Sequence, residues 1–117
     1  MLTIENKKRE PVVFNWVDDN ETIQLQITQM TVADRLKLST IHGELIDMKD
    51  IDDDTRGALF LTSRVMCSVK TLDNKYFFTD DVKALHDKLS GEVLYQLSAE
   101  IGDLNPIDTS SIDDAKK

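Results

Sequence analysis

RGALFLTSRVMCSVKTLDNKYFFTDDVKALHDKLSGEVLYQLSAEIGDL, residues Arg56–Leu104, holds one apolar helical pattern, a short aromatic turn and two further helical patterns. In its first part Ala58, Leu61, Val65 and Val69 recur at helical steps, with Leu59, Phe60, Thr62, Met66 and Cys67 widening the stripe. A helix apolar over most of its circumference belongs at the centre of a fold. Asp73-Asn74 then form a turn signal ahead of Tyr76-Phe77-Phe78, which predicts a tight turn and an extended segment tucking Phe77 or Phe78 into the core. Thr79 is placed to cap the next helix, with Asp80 and Asp81 at the positive end of its dipole and Val82, Leu85 and Leu89 as its stripe. Ser90 caps the last helix, whose stripe is Leu94, Leu97, Ile101 and Leu104 and whose end is marked by Asn105-Pro106.

Upstream of this stretch the period changes. Thr22–Thr28 alternates strictly, with Ile23, Leu25 and Ile27 on one face and Thr22, Gln24, Gln26 and Thr28 on the other. A period of two marks a strand with one wet face. Pro11–Val17 is β-branched and aromatic, and the polar link Asp18-Asp-Asn-Glu21 joins the two runs as a hairpin. Thr31, with Asp34 three residues on, reads as a helix cap. Leu36, Leu38, Ile41, Leu45 and Met48 are then the apolar face of a helix over about 32–47. The expectation is an α+β fold: an N-terminal β-hairpin at 11–28 followed by a four-helix core at 32–104. Residues 1–104 form a single domain with a loose lead-in over 1–10, and 105–117 a disordered polar tail.

The chain has 117 residues, the size of one domain, with 22 acidic against 14 basic residues and a net charge of −8. Nucleic-acid backbones are bound by clustered Lys and Arg, and the only such cluster is Lys7-Lys8-Arg9. A lone Cys67 agrees with a reducing cytosol. No signal peptide and no stretch long enough to span a bilayer is visible, so a soluble cytoplasmic protein with no membrane partner is expected.

Side-chain chemistry is sparse. Among Asp47, Asp50, Asp52, Asp53 and Asp54, the spacing Asp50-x-Asp52-x-Asp54 matches the first three ligands of an EF-hand loop. That loop needs Gly in the sixth place and Glu in the twelfth, where Thr55 and Leu61 stand. A solvated acidic loop is expected instead. His42 and His86 lack a partner at ligand spacing, and Cys67 sits in an apolar helix, which suits a small buried hydrophobe better than a nucleophile. Phe14 and Trp16, on alternate strand positions, read as a buried face in preference to a binding platform. No glycine-rich phosphate loop exists. The residues point to a non-enzymatic protein with no cofactor and no metal, whose surfaces are a strand edge, outer helix faces and an acidic loop. An exposed edge also allows self-association.

The order of motifs resembles the tail assembly chaperones of long-tailed bacteriophages. The resemblance rests on Ser68-Val-x-x-Leu-Asp-Asn-Lys75, the aromatic pair Phe77-Phe78, Thr79-Asp-Asp-Val-x-x-Leu85 and the closing Leu94-x-x-Leu97-x-x-x-Ile101-x-x-Leu104-Asn105. Upstream, the hairpin and the capped helix written MTVADRLKL agree, so it spans about 11–105. Asn74-Lys75 stands where Gly-Lys is more usual, a mild departure because Asn tolerates the left-handed conformation. The resemblance implies a factor of the host cytoplasm, absent from the finished virion, that binds the tape measure protein and helps recruit tail tube protein. The acidic total leaves two other readings: an inhibitor that imitates DNA, and a neck or connector component.

Overall fold

The computed structural model describes residues 1–106. It has a three-stranded antiparallel sheet, β1 (Val12–Asp18), β2 (Glu21–Ile27) and β3 (Val69–Thr71), in the order β1-β2-β3. Four helices follow the hairpin: α1 (Val32–Asp47), α2 (Asp53–Ser68), α3 (Val82–Lys88) and α4 (Gly91–Leu104). The expected α+β architecture, a hairpin ahead of a helix-dominated core, is what the chain adopts.

The hairpin closes through Asp19 and Asn20, both at positive φ (48° and 66°). Two left-handed residues make the turn whose twist matches the flanking strands. Gly adopts that conformation freely, Asn and Asp at modest cost, and other residues resist it. Asn20→Gly is therefore expected to stabilise the chain by up to about 1 kcal/mol and Asn20→Val to destabilise it by about 1–2 kcal/mol, read as shifts in thermal midpoint. Alternation sends Val12, Phe14, Trp16, Leu25 and Ile27 toward the helices; Leu25 and Ile27 are buried. Val13 and Val17 remain on the solvent face.

α1 begins at a complete capping box: the Thr31 hydroxyl accepts from Asp34 N–H and the Asp34 carboxylate from Thr31 N–H. Its inward row is Asp34, Leu38, Ile41, Leu45 and Met48. Leu36, expected on that row, is exposed. The step from Leu36 to Leu38 is two residues, which turns the helix by about 200° and puts the pair on opposite sides. Val32 and Ile46 share the outer side with Leu36.

α2 is the central helix: α1, α3, α4 and β3 all pack against it. Its buried set is Leu59, Thr62, Ser63, Val65, Met66, Cys67 and Ser68. Thr62 and Ser63 satisfy themselves by donating to the carbonyls of Ala58 (2.8 Å) and Phe60 (2.6 Å). Val69, expected on the helix, instead opens β3. The chain turns extended at Val69 without a glycine, and Val69, Lys70 and Thr71 pair with Ile27, Gln26 and Leu25. A tight turn follows, with Asn74 at φ 69° and Thr71 N–H bonded to the Lys75 carbonyl (2.8 Å). Lys70 then bridges to Tyr76, and Phe78 enters the core.

α3 is capped by Asp81, which accepts from Ala84 N–H (2.9 Å), and not by Thr79. Asp81 offers a carboxylate for the same role two residues later, while Asp80 pairs with Lys88 at 3.0 Å. Ser90 caps α4 as expected, accepting from Val93 N–H. Leu97, Ile101 and Leu104 are buried beneath it. Residues 1–11 have no regular structure and are exposed, tethered through Arg9 N–H and the Lys7 carbonyl to the Gln29 side chain. Of the expected tail 105–117, residues 107–117 lie outside the described residues, and Asn105 belongs to the folded body.

Candidate functional site

Two features stand out: a buried polar network and an open cleft of mixed lining with an aromatic wall. The network starts from the α1 capping box. Asp34 is 2% exposed, and its Oδ2 accepts from both Thr31 N–H and Lys70 Nζ, each at 2.9 Å. Its Oδ1 accepts from the Tyr76 hydroxyl at 2.5 Å. Lys70, 4% exposed, arrives from β3, and Lys37 Nζ stands 3.6 Å above the Tyr76 ring. Burial pushes the Asp34 carboxyl up, but the hydrogen bonds from Tyr76, Lys70 and Thr31 hold it below its ordinary value. The same contact with Asp34 drives the Tyr76 hydroxyl up to about 12. Three donors and burial hold this carboxylate ionised and shut away from solvent. The network ties α1, β3 and the aromatic turn together.

A second buried polar contact ties the other end. The Asn105 Oδ1 accepts from Met30 N–H and its Nδ2 donates to the Ile101 carbonyl, both at 2.9 Å. This joins the exit of β2 to the end of α4. Asn105→Ala would strand the buried Met30 N–H and is expected to cost about 1–3 kcal/mol in a urea titration.

The cleft opens where the hairpin overhangs the helices. Trp16 makes edge contacts with Phe78 (centroids 5.6 Å) and Phe77 (6.5 Å), and the two Phe rings meet at 4.8 Å. These rings, with Leu85, Leu89 and Val93, line a cavity of about 430 Å³. Asp18, Asp80 and Lys88 also line it. Across the hairpin, Val12, Phe14 and Ile27 line another groove of about 440 Å³ with Gln96, Leu97, Ala99 and Glu100 of α4. Phe14 and Trp16 therefore face the core side, as expected, but remain half-buried. The exposed half of each forms wall. Their alternation on β1 signalled the face; the depth of the overhang had no local signal.

The other candidates are dispersed. Asp52 caps α2, accepting from Thr55 N–H (2.7 Å), a bond that lowers its carboxyl. Asp53 pairs with Arg56 (3.3 Å). Because α2 starts at Asp53, Asp53 and Asp54 lie on a helix and only Met48–Asp52 remain as loop, too few residues to wrap a cation. Among the described residues no group of three His, Cys, Asp or Glu side chains could hold a metal ion. The Arg56 guanidinium closes this loop by donating to the carbonyls of Leu45 and Met48. His42 Nε2 lies 2.9 Å from Ser63 Oγ, and since that hydroxyl donates to Phe60, the imidazole is the donor. His86 contacts only its neighbour Asp87 among the described polar groups. Cys67 is fully buried, and burial raises its thiol to about 11; it has little thiolate at neutral pH. The structure brings none of these together.

No helix among the described residues is long and apolar enough to cross a membrane. Compared with protein-family models, curated proteins and solved structures, the chain matches none.

Proposed function

We propose that the chain is a non-enzymatic assembly chaperone that holds an amphipathic helical segment in the cleft beneath its hairpin, and that its client is a phage tape measure protein. The observation that carries this reading is the cleft itself. Half-buried Trp16 and Phe77, with Leu89 and Val93, form an apolar strip whose rim carries Asp18 and the Asp80–Lys88 ion pair. Such a groove suits the apolar stripe of an amphipathic helix. The net charge of −8 favours a client with basic flanks and keeps a complex in solution.

The identity of the client rests on the resemblance of 11–105 to the tail assembly chaperones. On that reading the protein acts in the host cytoplasm, helps recruit tail tube subunits to its client, and is absent from purified particles. Val93→Asp puts a charge on the cleft wall. It is expected to abolish co-purification with the tape measure protein while leaving the circular dichroism spectrum unchanged. Unimpaired co-purification would remove the cleft as the docking site, and recovery of the chain from purified virions would remove the chaperone reading in favour of a structural component.

A further inference from the structure

We propose that β1 is a self-recognition edge, and that two copies of the chain pair through it about a two-fold axis at Asn15 to form one six-stranded sheet. β1 is the outer strand of the sheet. Natural sheets protect such edges with Lys, Pro, bulges or very short strands. Here Val12–Val17 is six residues with no charge, no proline and no bulge in its pairing. On its solvent face Val13 is 55% and Val17 65% exposed.

The polarity of the edge follows from the turn. A two-residue turn makes Asp18 and Glu21 the closing hydrogen-bonded pair, and hydrogen-bonded pairs alternate along an antiparallel ladder. Trp16, Phe14 and Val12 therefore bond to β2, while Val17, Asn15 and Val13 turn their N–H and C=O groups to the open side. A second β1 laid antiparallel with Asn15 opposite Asn15 satisfies all of these at once, because Val13 then faces Val17 of the other copy in both directions. The inward face of this register sets Phe14 against Trp16, an aromatic cross-strand pair made twice. A two-fold contact needs a self-complementary surface, and this strand provides one about its own centre.

The edge is also uncovered: the segment that precedes β1 turns away from it, with Arg9 N–H and the Lys7 carbonyl bonded to Gln29 beyond the end of β2.

The test is sedimentation velocity on the full chain over a concentration series, with amide hydrogen exchange on the same samples. The expected result is a dimer in which the amides of Val13, Asn15 and Val17, open in a monomer, become protected as concentration rises. Asn15→Pro removes an outward N–H and no bond to β2, and is expected to weaken association at least about tenfold. A chain that stays monomeric throughout overturns the proposal. So does a dimer whose Val13, Asn15 and Val17 amides exchange freely, which decides the matter even if Asn15→Pro fails to fold.

Discussion

Asp34→Asn is expected to destabilise the chain by roughly 3–5 kcal/mol, the largest effect of any single substitution outside the apolar core. The change keeps the side chain's shape and removes its charge. Lys70 is then left with a buried ammonium and no counter-charge, since it is 4% exposed and its nitrogen lies 2.9 Å from Asp34. Most of the cost is that stranded cation, so Lys70→Met in the Asp34→Asn background should not destabilise further. A double-mutant cycle by urea unfolding would measure this coupling. The pH dependence has a definite sign. The folded Asp34 carboxyl sits below its unfolded value, so it contributes stability fully above the unfolded pKa of about 3.9. That contribution is lost as pH falls through the lower folded value. Wild type should therefore lose stability on acidification below about pH 4 more steeply than Asp34→Asn does.

Ile101→Ala is expected to cost about 2–5 kcal/mol, while Tyr95→Ala on the same helix should change stability by no more than about 0.5 kcal/mol. Ile101 is fully buried under α4, where α4 packs on α2, and its truncation leaves a cavity that the central helix cannot readily collapse to fill. Tyr95 is 77% exposed and loses little contact. Two equilibrium unfolding curves separate these cases. Equal effects would mean that α4 is not seated on α2 by the stripe described above.

The two helices differ in how openly they could be read. α4 carries its core stripe at regular spacing between a serine cap and Asn-Pro, so its limits and inward face were legible. α1 was legible in its limits because Thr31 and Asp34 spell a capping box. Its inward face was not, because the row that points inward starts with a carboxylate, Asp34, while an exposed Leu36 resembles a core residue. β3 was hidden for a different reason: three residues cannot display a period of two, and Val69 sits in phase with the helix it follows. Thr79 and Asp81 are both competent caps by type, and the sequence pattern alone does not choose between them.

The site was legible only in part. The aromatics Phe14, Trp16, Phe77 and Phe78 announce themselves by type, but that they meet along one wall depends on how the hairpin lies over α3 and α4. The Asp34–Lys70–Tyr76 network joins groups 36 and 42 residues apart. No local pattern marks it, and Lys70 reads in sequence as an ordinary surface lysine. The metal-like spacing at Asp50, Asp52 and Asp54 fails for a simple geometric cause: the helix begins in the middle of the motif. Asn105, assigned to a tail by composition, is held by two bonds to groups that sequence does not place beside it.

The most direct measurement of the central claim is the solubility of a phage tape measure protein expressed with and without this chain. The account predicts that the tape measure protein aggregates alone, is recovered in the soluble fraction with wild type, and returns to the pellet with the Val93→Asp variant. A tape measure protein that stays insoluble beside folded wild-type chain would contradict it.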